Sequence, residues 1–464
     1  MSYRLSVEAF DSTFAVKDNG AKLTHFSGKR FKLFPFIANN NSAPIRDLNS
    51  VVGRYISQIE KWVPERITVD ELAERLKQGT TVDLGMDSLF LQVIKHMFFD
   101  KDGQIRPINL RMIAQIPCEE SSAIRVADYL VDVLGDERVL KGFIDEATKK
   151  LDQQGNVLEK FAVSKLEAKP LNPSDTRPYQ RISKAVQSKF ETDFEYVLAS
   201  RSRTRDYLIP LLEFYYFTYT AQSIMQLNRF LDGERDHCIP LYFCLDWEKT
   251  SLSRRCYTEG WGLLQDAISR IFAHAIVLEI LNQTEEDGEP VDYIRLNELV
   301  HVSQEEDHRI AGEIRVLTDR YRNAISDSPA MIELSRKEFQ ENETAAEVRF
   351  LFDSVRVQFE TTARNRPYSS YADKFEEYCR KFLKRRGRSG MMLNLTEETL
   401  IFLTKVCIKD QEKMRLNDVF AEFEDRGVFL DNLSKEQVMR YYEKLNLIEK
   451  KSDSGDAQYV KRIL

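Results

Sequence analysis

The first 36 residues alternate apolar and polar positions, as in YRLSVEAF, STFAVK, KLTHF and RFKLFPF, around the turn Asp18-Asn19-Gly20. Asn-Gly between alternating runs predicts a β-hairpin. Beyond it the spacing becomes helical. Thr68-x-x-Glu71 is a capping box that opens VDELAERLKQ, with Gly79 as its stop. The stretches DSLFLQVIKHMFF, SSAIRVADYLVDVLG (closed by Gly135) and DERVLKGFIDEATKKL continue the helical pattern. Leu166–Arg177, with Pro170 and Pro173, predicts a boundary.

QRISKAVQSKFETDFEYVLASR then leads into YLIPLLEFYYFTYTAQSIM (207–225), the most apolar window of the chain. That window is long enough to cross a bilayer, but it holds Pro210, Glu213 and Gln222. A carboxylate at mid-membrane is costly, so a buried core helix is expected and no membrane association. CIPLYFCLDW (238–247) predicts one buried strand or an extended connector. Trp261–Leu281 and the Val348, Leu351, Phe352, Val355, Phe359 series predict further helices.

The last 74 residues read as helix, helix, helix, hairpin: TEETLIFLTKVCIK, RLNDVFAEFEDRG, a third helix opened by a Ser434-x-x-Gln437 capping box with Leu433 as a hydrophobic staple to Val438, then LIEKK, the turn SDSGD and QYVKRIL. This is the order of a winged helix-turn-helix. The expected fold is therefore mainly α: a small N-terminal β element with helices over 1–165, a central helical domain over 166–390, and a winged helix-turn-helix over 391–464.

Charge changes the picture locally rather than globally. The 464 residues carry 67 basic and 74 acidic side chains, a net of −7, which excludes nucleic-acid binding through bulk positive charge. Residues 283–319 hold 11 acids against three arginines. Such a segment predicts a solvated or protein-facing surface, and reversing Glu305, Glu306 and Asp307 is expected to weaken assembly while sparing the fold. Arg380, Lys381, Lys384, Arg385, Arg386 and Arg388 form the opposite feature, a basic helix end followed by a Gly387, Ser389, Gly390 hinge. In the last module, Lys435, Arg440, Tyr441 and Lys444 are the expected groove-facing side chains, and Lys450, Lys451, Lys461 and Arg462 the expected phosphate contacts. That module nevertheless carries 12 bases and 14 acids, so a winged-helix adaptor that binds only protein is the alternative.

Candidate catalytic chemistry is sparse. No G-x-x-x-x-G-K-[ST] and no G-x-G-x-x-G occurs, and no metal or other cofactor is expected. The six cysteines form no C-x-x-C pair, which fits reduced thiols in the cytoplasm. His237, Cys238, Cys244 and Cys256 match no zinc spacing, and His301, Glu305 and His308 suggest one solvated helix face. Asp246, Glu248 and Lys249 after a strand are the enzyme-class alternative, a metal-dependent nuclease, although such sites separate the second acid and the lysine by one residue. Arg201, Arg203 and Arg205 suit phosphate, or ordinary ion pairing with the abundant acids.

The stretch LNPSDTRPYQRISKAVQSKFETDFEYVLASRSRTRDYLIPLLEFYYFTYTAQSIMQLNRF (171–230) resembles the bacterial DNA phosphorothioation-dependent restriction family DptG, also called DndG. The resemblance implies a subunit of an antiviral restriction complex that acts on unmodified DNA beside DptF-like and DptH-like partners. It places ATPase, helicase and nuclease work in those partners and supplies no catalytic motif for residues of this chain. The expected function is a non-catalytic, DNA-engaging scaffold.

Overall fold

Every side chain from Phe214 to Leu227 is buried in the computed structural model, which describes residues 3–17, 22–38, 48–64, 67–78, 85–101, 103–154, 157–166, 168–172, 177–336, 342–450 and 458–463. These side chains belong to the 27-residue helix Arg201–Leu227. A helix apolar all round belongs inside a core, and its polar atoms must find partners there. Most do: the Tyr215 hydroxyl donates to Asp193 at 2.7 Å, Gln222 Nε2 donates to the Ile239 carbonyl at 3.0 Å, and Gln226 Nε2 donates to the His237 carbonyl at 3.1 Å, while Ser223 Oγ is buried without a hydrogen bond among the described residues. Aromatic rings from distant helices close around it. Tyr216 lies 4.6 Å from Tyr378, and Phe217 stacks 4.3 Å from Phe382. No described helix is long and apolar enough to cross a membrane.

The fold is mainly helical, and one hydrophobic cluster runs from Phe10 to Val460 across all three expected segments. A smaller cluster, including Leu72, Ile94, Phe98 and Ala162, packs the Val69–Lys77, Asp87–Phe98 and Val157–Ser164 helices together. The Thr68 capping box forms as expected, with Thr68 and Glu71 bonded reciprocally. Gly79 lies outside the described residues.

The N-terminus departs from the expected hairpin. Val7–Thr13 is a helix capped by Ser6, whose side chain accepts from the Ala9 N–H. Phe10 and Phe14, one helical turn apart, stack at 4.8 Å and are fully buried, so helical spacing won over a short alternation. Of the hairpin, only the Lys17–Lys22 bridge is described; the Asn19-Gly20 turn lies outside the described residues. The chain from Lys29 to Phe31 instead donates three backbone N–H groups to the buried Glu279 carboxylate.

Four short strands form a mixed sheet in the spatial order Leu383–Arg385, Met391–Leu395, Tyr242–Leu245, Phe429–Leu430. After the antiparallel pair β1 (Trp62–Pro64) and β2 (Ala168–Pro170), β3 is Tyr242–Leu245, β4 Leu383–Arg385, β5 Met391–Leu395 and β7 Phe429–Leu430. The expected strand within 238–247 is thus β3, buried at all four positions and parallel to both β5 and β7. The expected hinge at 387–390 is instead the turn of the β4–β5 hairpin, with Gly387 at φ +55° and Gly390 at φ +74°. Residues 391–395 therefore complete the central sheet.

Three helices follow, Glu397–Ile408, Leu416–Glu424 and Asn432–Lys444. Before the second lies β6 (Lys413–Arg415), and after the third lie β8 (Ile448–Lys450) and β9 (Gln458–Lys461). The sheet they form is antiparallel with the order β6-β9-β8. The third helix starts earlier than expected. Asp431 caps it by accepting the Ser434 N–H, Leu433 is exposed rather than stapled, and Ser434 is buried inside the first turn.

The acidic stretch 283–319 is extensively paired. Glu313 meets Arg4 and Arg309, Asp292 meets Arg235, and Asp319 meets Arg336. Asp307 accepts the Glu343 and Thr344 N–H groups at 3.0 Å and so caps the helix Glu343–Thr361 from outside. The expectation that reversing Glu305, Glu306 and Asp307 spares the fold is corrected for Asp307, whose carboxylate neutralises a helix N-terminus.

Candidate nucleic-acid interface

The β4–β5 hairpin divides the basic cluster in two. Strand alternation and the turn send Lys384 and Arg386 back toward β3. Lys384 forms an ion pair with Asp246, and Arg386 donates to the carbonyls of Leu245, Asp246 and Glu248 and to Asn394 Oδ1. Lys381 pairs with Glu213. Arg380, Arg385 and Arg388 remain exposed and make no ion pair with any described residue. Beside them lies a groove of about 680 Å³, lined by Tyr257, Trp261, Arg380, Leu383, Ser389 and Met391.

The C-terminal candidates separate in the same way. Lys444 and Lys461 are exposed without an ion pair to any described residue. Lys435 pairs with Glu424 at 2.9 Å, Arg440 with Glu436 at 3.6 Å, Lys450 with Glu443 at 2.8 Å, and Arg462 lies 3.9 Å from Asp410. Lys451 lies outside the described residues. Tyr441 donates to Glu397 at 3.0 Å and packs tilted against Trp247 with ring centres 4.8 Å apart, which turns it toward the body of the protein.

The first turn of the Asn432–Lys444 helix is anchored by Arg254 and Asp431, which sequence reading passed over, together with Ser434 and Glu248. Arg254 donates to both Asp431 oxygens at 2.6 Å and to Ser434 Oγ at 2.9 Å, and Ser434 donates to Glu248 at 3.0 Å. Burial alone would raise the Asp431 carboxyl, but the Arg254 guanidinium and the Ser434 N–H hold it below its ordinary range. Glu248 moves the other way, raised by burial against the attraction of Arg254. Arg254 stands 177 positions from Asp431, and no local motif marks such a pair.

Glu248 is committed to this anchor, while Asp246 is held below its usual range chiefly by Lys384. Each carboxylate of the Asp246, Glu248, Lys249 alternative thus has its own cationic partner, and Lys249 points to solvent. No group of three His, Cys, Asp or Glu among the described residues is placed to hold a metal. Cys244 and Cys256 are buried together, whereas Cys238 faces the Asp425 carbonyl. His301 and His308 do not share a helix, because Ser303 caps a new one between them.

Arg201, Arg203 and Arg205 follow the ion-pair reading. They meet Glu159, Asp410 and Asp206, and Arg203 also lies 3.9 Å over the Tyr196 ring.

The chain matches no protein-family model and no curated protein.

Proposed function

We propose that residues 396–463 form a winged helix-turn-helix and that the chain is a non-catalytic cytoplasmic scaffold that engages DNA within a phosphorothioation-dependent restriction complex. The observation that carries the module is its element order, helix–strand–helix–strand–helix–strand–strand, in which β7 joins the central sheet beside β3 and the other three strands form a sheet of order β6-β9-β8. The resemblance of residues 171–230 supports the restriction setting and the DptF-like and DptH-like partners. Arg380 just before the hairpin and Arg385 and Arg388 on it, with Lys444 and Lys461 on the module, supply the phosphate contacts. Lys435 and Tyr441 support the module's own packing.

A second reading, a winged-helix adaptor that binds only protein, is favoured by the balanced charge of the third helix, whose exposed face carries Glu436 and Glu443 beside Arg440 and Lys444. Equilibrium binding of the full chain to a DNA duplex separates the two. The DNA reading expects binding that weakens when Arg380, Arg385 and Arg388 become alanine. The adaptor reading expects no binding even at low salt.

A further inference from the structure

A second groove, of about 500 Å³, lies between the N-terminal half of the Arg201–Leu227 helix and the start of the Glu397–Ile408 helix. Its walls are aromatic. Tyr207 and Phe402 face each other with ring centres 5.8 Å apart, and Tyr441 lines the end nearest Trp247. Four carboxylates, Asp206, Glu213, Glu397 and Glu398, also line it, and no lysine or arginine among the described residues does. The cations around it, Arg205, Lys381 and Lys405, bond to Asp206, Glu213 and the Tyr207 hydroxyl. Glu397 accepts from Tyr441, and Glu398 is exposed with no ion pair to any described residue.

An independent feature of the backbone points to the same chemistry. Pro210 sits inside the Arg201–Leu227 helix and also lines the groove. Proline has no N–H to give to the carbonyl four residues earlier, so the Asp206 carbonyl loses its helical donor on the face that Pro210 and Asp206 share. The groove therefore combines an extra backbone acceptor, carboxylates and flat apolar walls. Arginine is the side chain that fits all three: its stem and planar guanidinium pack on rings, and its fork donates to several oxygens at once.

We propose that this groove docks an arginine-bearing segment of a partner protein, with the guanidinium packed on Tyr441 and its N–H groups on Glu397, Glu398 and the Asp206 carbonyl. The site stands apart from the DNA reading, because a duplex is a ligand that its charge repels.

The test is a titration of the full chain with the capped tripeptide acetyl-Leu-Arg-Leu-amide, read by calorimetry and by tryptophan fluorescence, with the substitutions Trp62→Phe and Trp261→Phe so that Trp247 beside Tyr441 alone reports. The citrulline counterpart keeps the shape and removes the charge. The double variant Glu397→Gln, Glu398→Gln changes two exposed side chains, so its melting temperature stays near that of the wild type. Saturable one-to-one binding is expected for the arginine peptide. A loss of about tenfold or more is expected for the citrulline peptide and for the double variant. The control Glu285→Gln, Glu305→Gln, with the same charge change elsewhere, should bind as tightly as wild type. Equal weakening in the control would assign the attraction to diffuse charge and overturn the site. So would equal affinity for citrulline, or a titration that does not saturate.

Discussion

Arg426 grips Asp193 through two parallel bonds of 2.7 Å, Nε to one oxygen and Nη2 to the other, and both side chains are fully buried. The Tyr215 hydroxyl donates to the same carboxylate, and Lys409 approaches it at 3.2 Å. This cluster ties the C-terminal helices to the aromatic core helix. Removing one partner strands a charge in the interior, so Arg426→Ala should cost about 3–5 kcal/mol. Urea unfolding measures it, and a loss below about 1 kcal/mol would show that water reaches the pair.

Arg254 has a more local duty. Arg254→Ala removes the guanidinium from Asp431 and Ser434 and leaves Glu248 buried without its cation. Faster amide exchange is expected across Asn432–Lys444, with the helix Arg201–Leu227 unchanged. Uniform loosening of both helices would mean that the anchor is global rather than confined to the last module.

Acid should destabilise the fold through two histidines. Burial, aided by Arg364, lowers His25 to about 3, and burial, aided by Arg270, lowers His274 to about 3. In the unfolded chain each takes up a proton near pH 6.5, while the folded protein refuses it until about pH 3. Stability is therefore full above pH 6.5 and falls on acidification, by up to about 1.4 kcal/mol per pH unit for each histidine. His274 packs 4.5 Å from Phe352 and 5.1 Å from Phe230, so His274→Phe retains much of the packing and removes one proton from the linkage. Its acid limb, from urea midpoints against pH, should be shallower by one proton. An unchanged slope would contradict a buried neutral His274.

The acids of the 303–307 turn should not behave alike. Asp307→Ala removes the acceptor of two N–H groups at the start of Glu343–Thr361 and should cost about 1 kcal/mol. Glu305→Ala, at an exposed position, should stay within about 0.5 kcal/mol of wild type. Equal losses in thermal melts would remove the capping role.

Local signals were legible in the sequence, and distant ones were not. The Thr68 box, the buried strand near Tyr242 and the three C-terminal helices each rest on spacing within a dozen residues, and each forms. Lys413–Arg415, three residues with Met414 alone apolar, is too short to carry a strand pattern, and it becomes β6 only because β9 pairs with it. The basic run at 380–388 showed its charge but not its division, since the hairpin turn and the carbonyl end of β3 decide which arginines face solvent. Arg254 and Asp431, or Arg426 and Asp193, meet only through tertiary packing.

The central claim is that DNA meets this chain through cations that the fold leaves unpaired. The most direct measurement is the slope of log affinity against log salt for the full chain on a duplex, for wild type and for Arg380→Ala, Arg385→Ala, Arg388→Ala together. Each phosphate contact contributes about 0.9 to that slope, so the triple variant should be shallower by about 2–3. Wild-type binding whose slope the triple variant leaves unchanged, or no binding at low salt, would contradict the account.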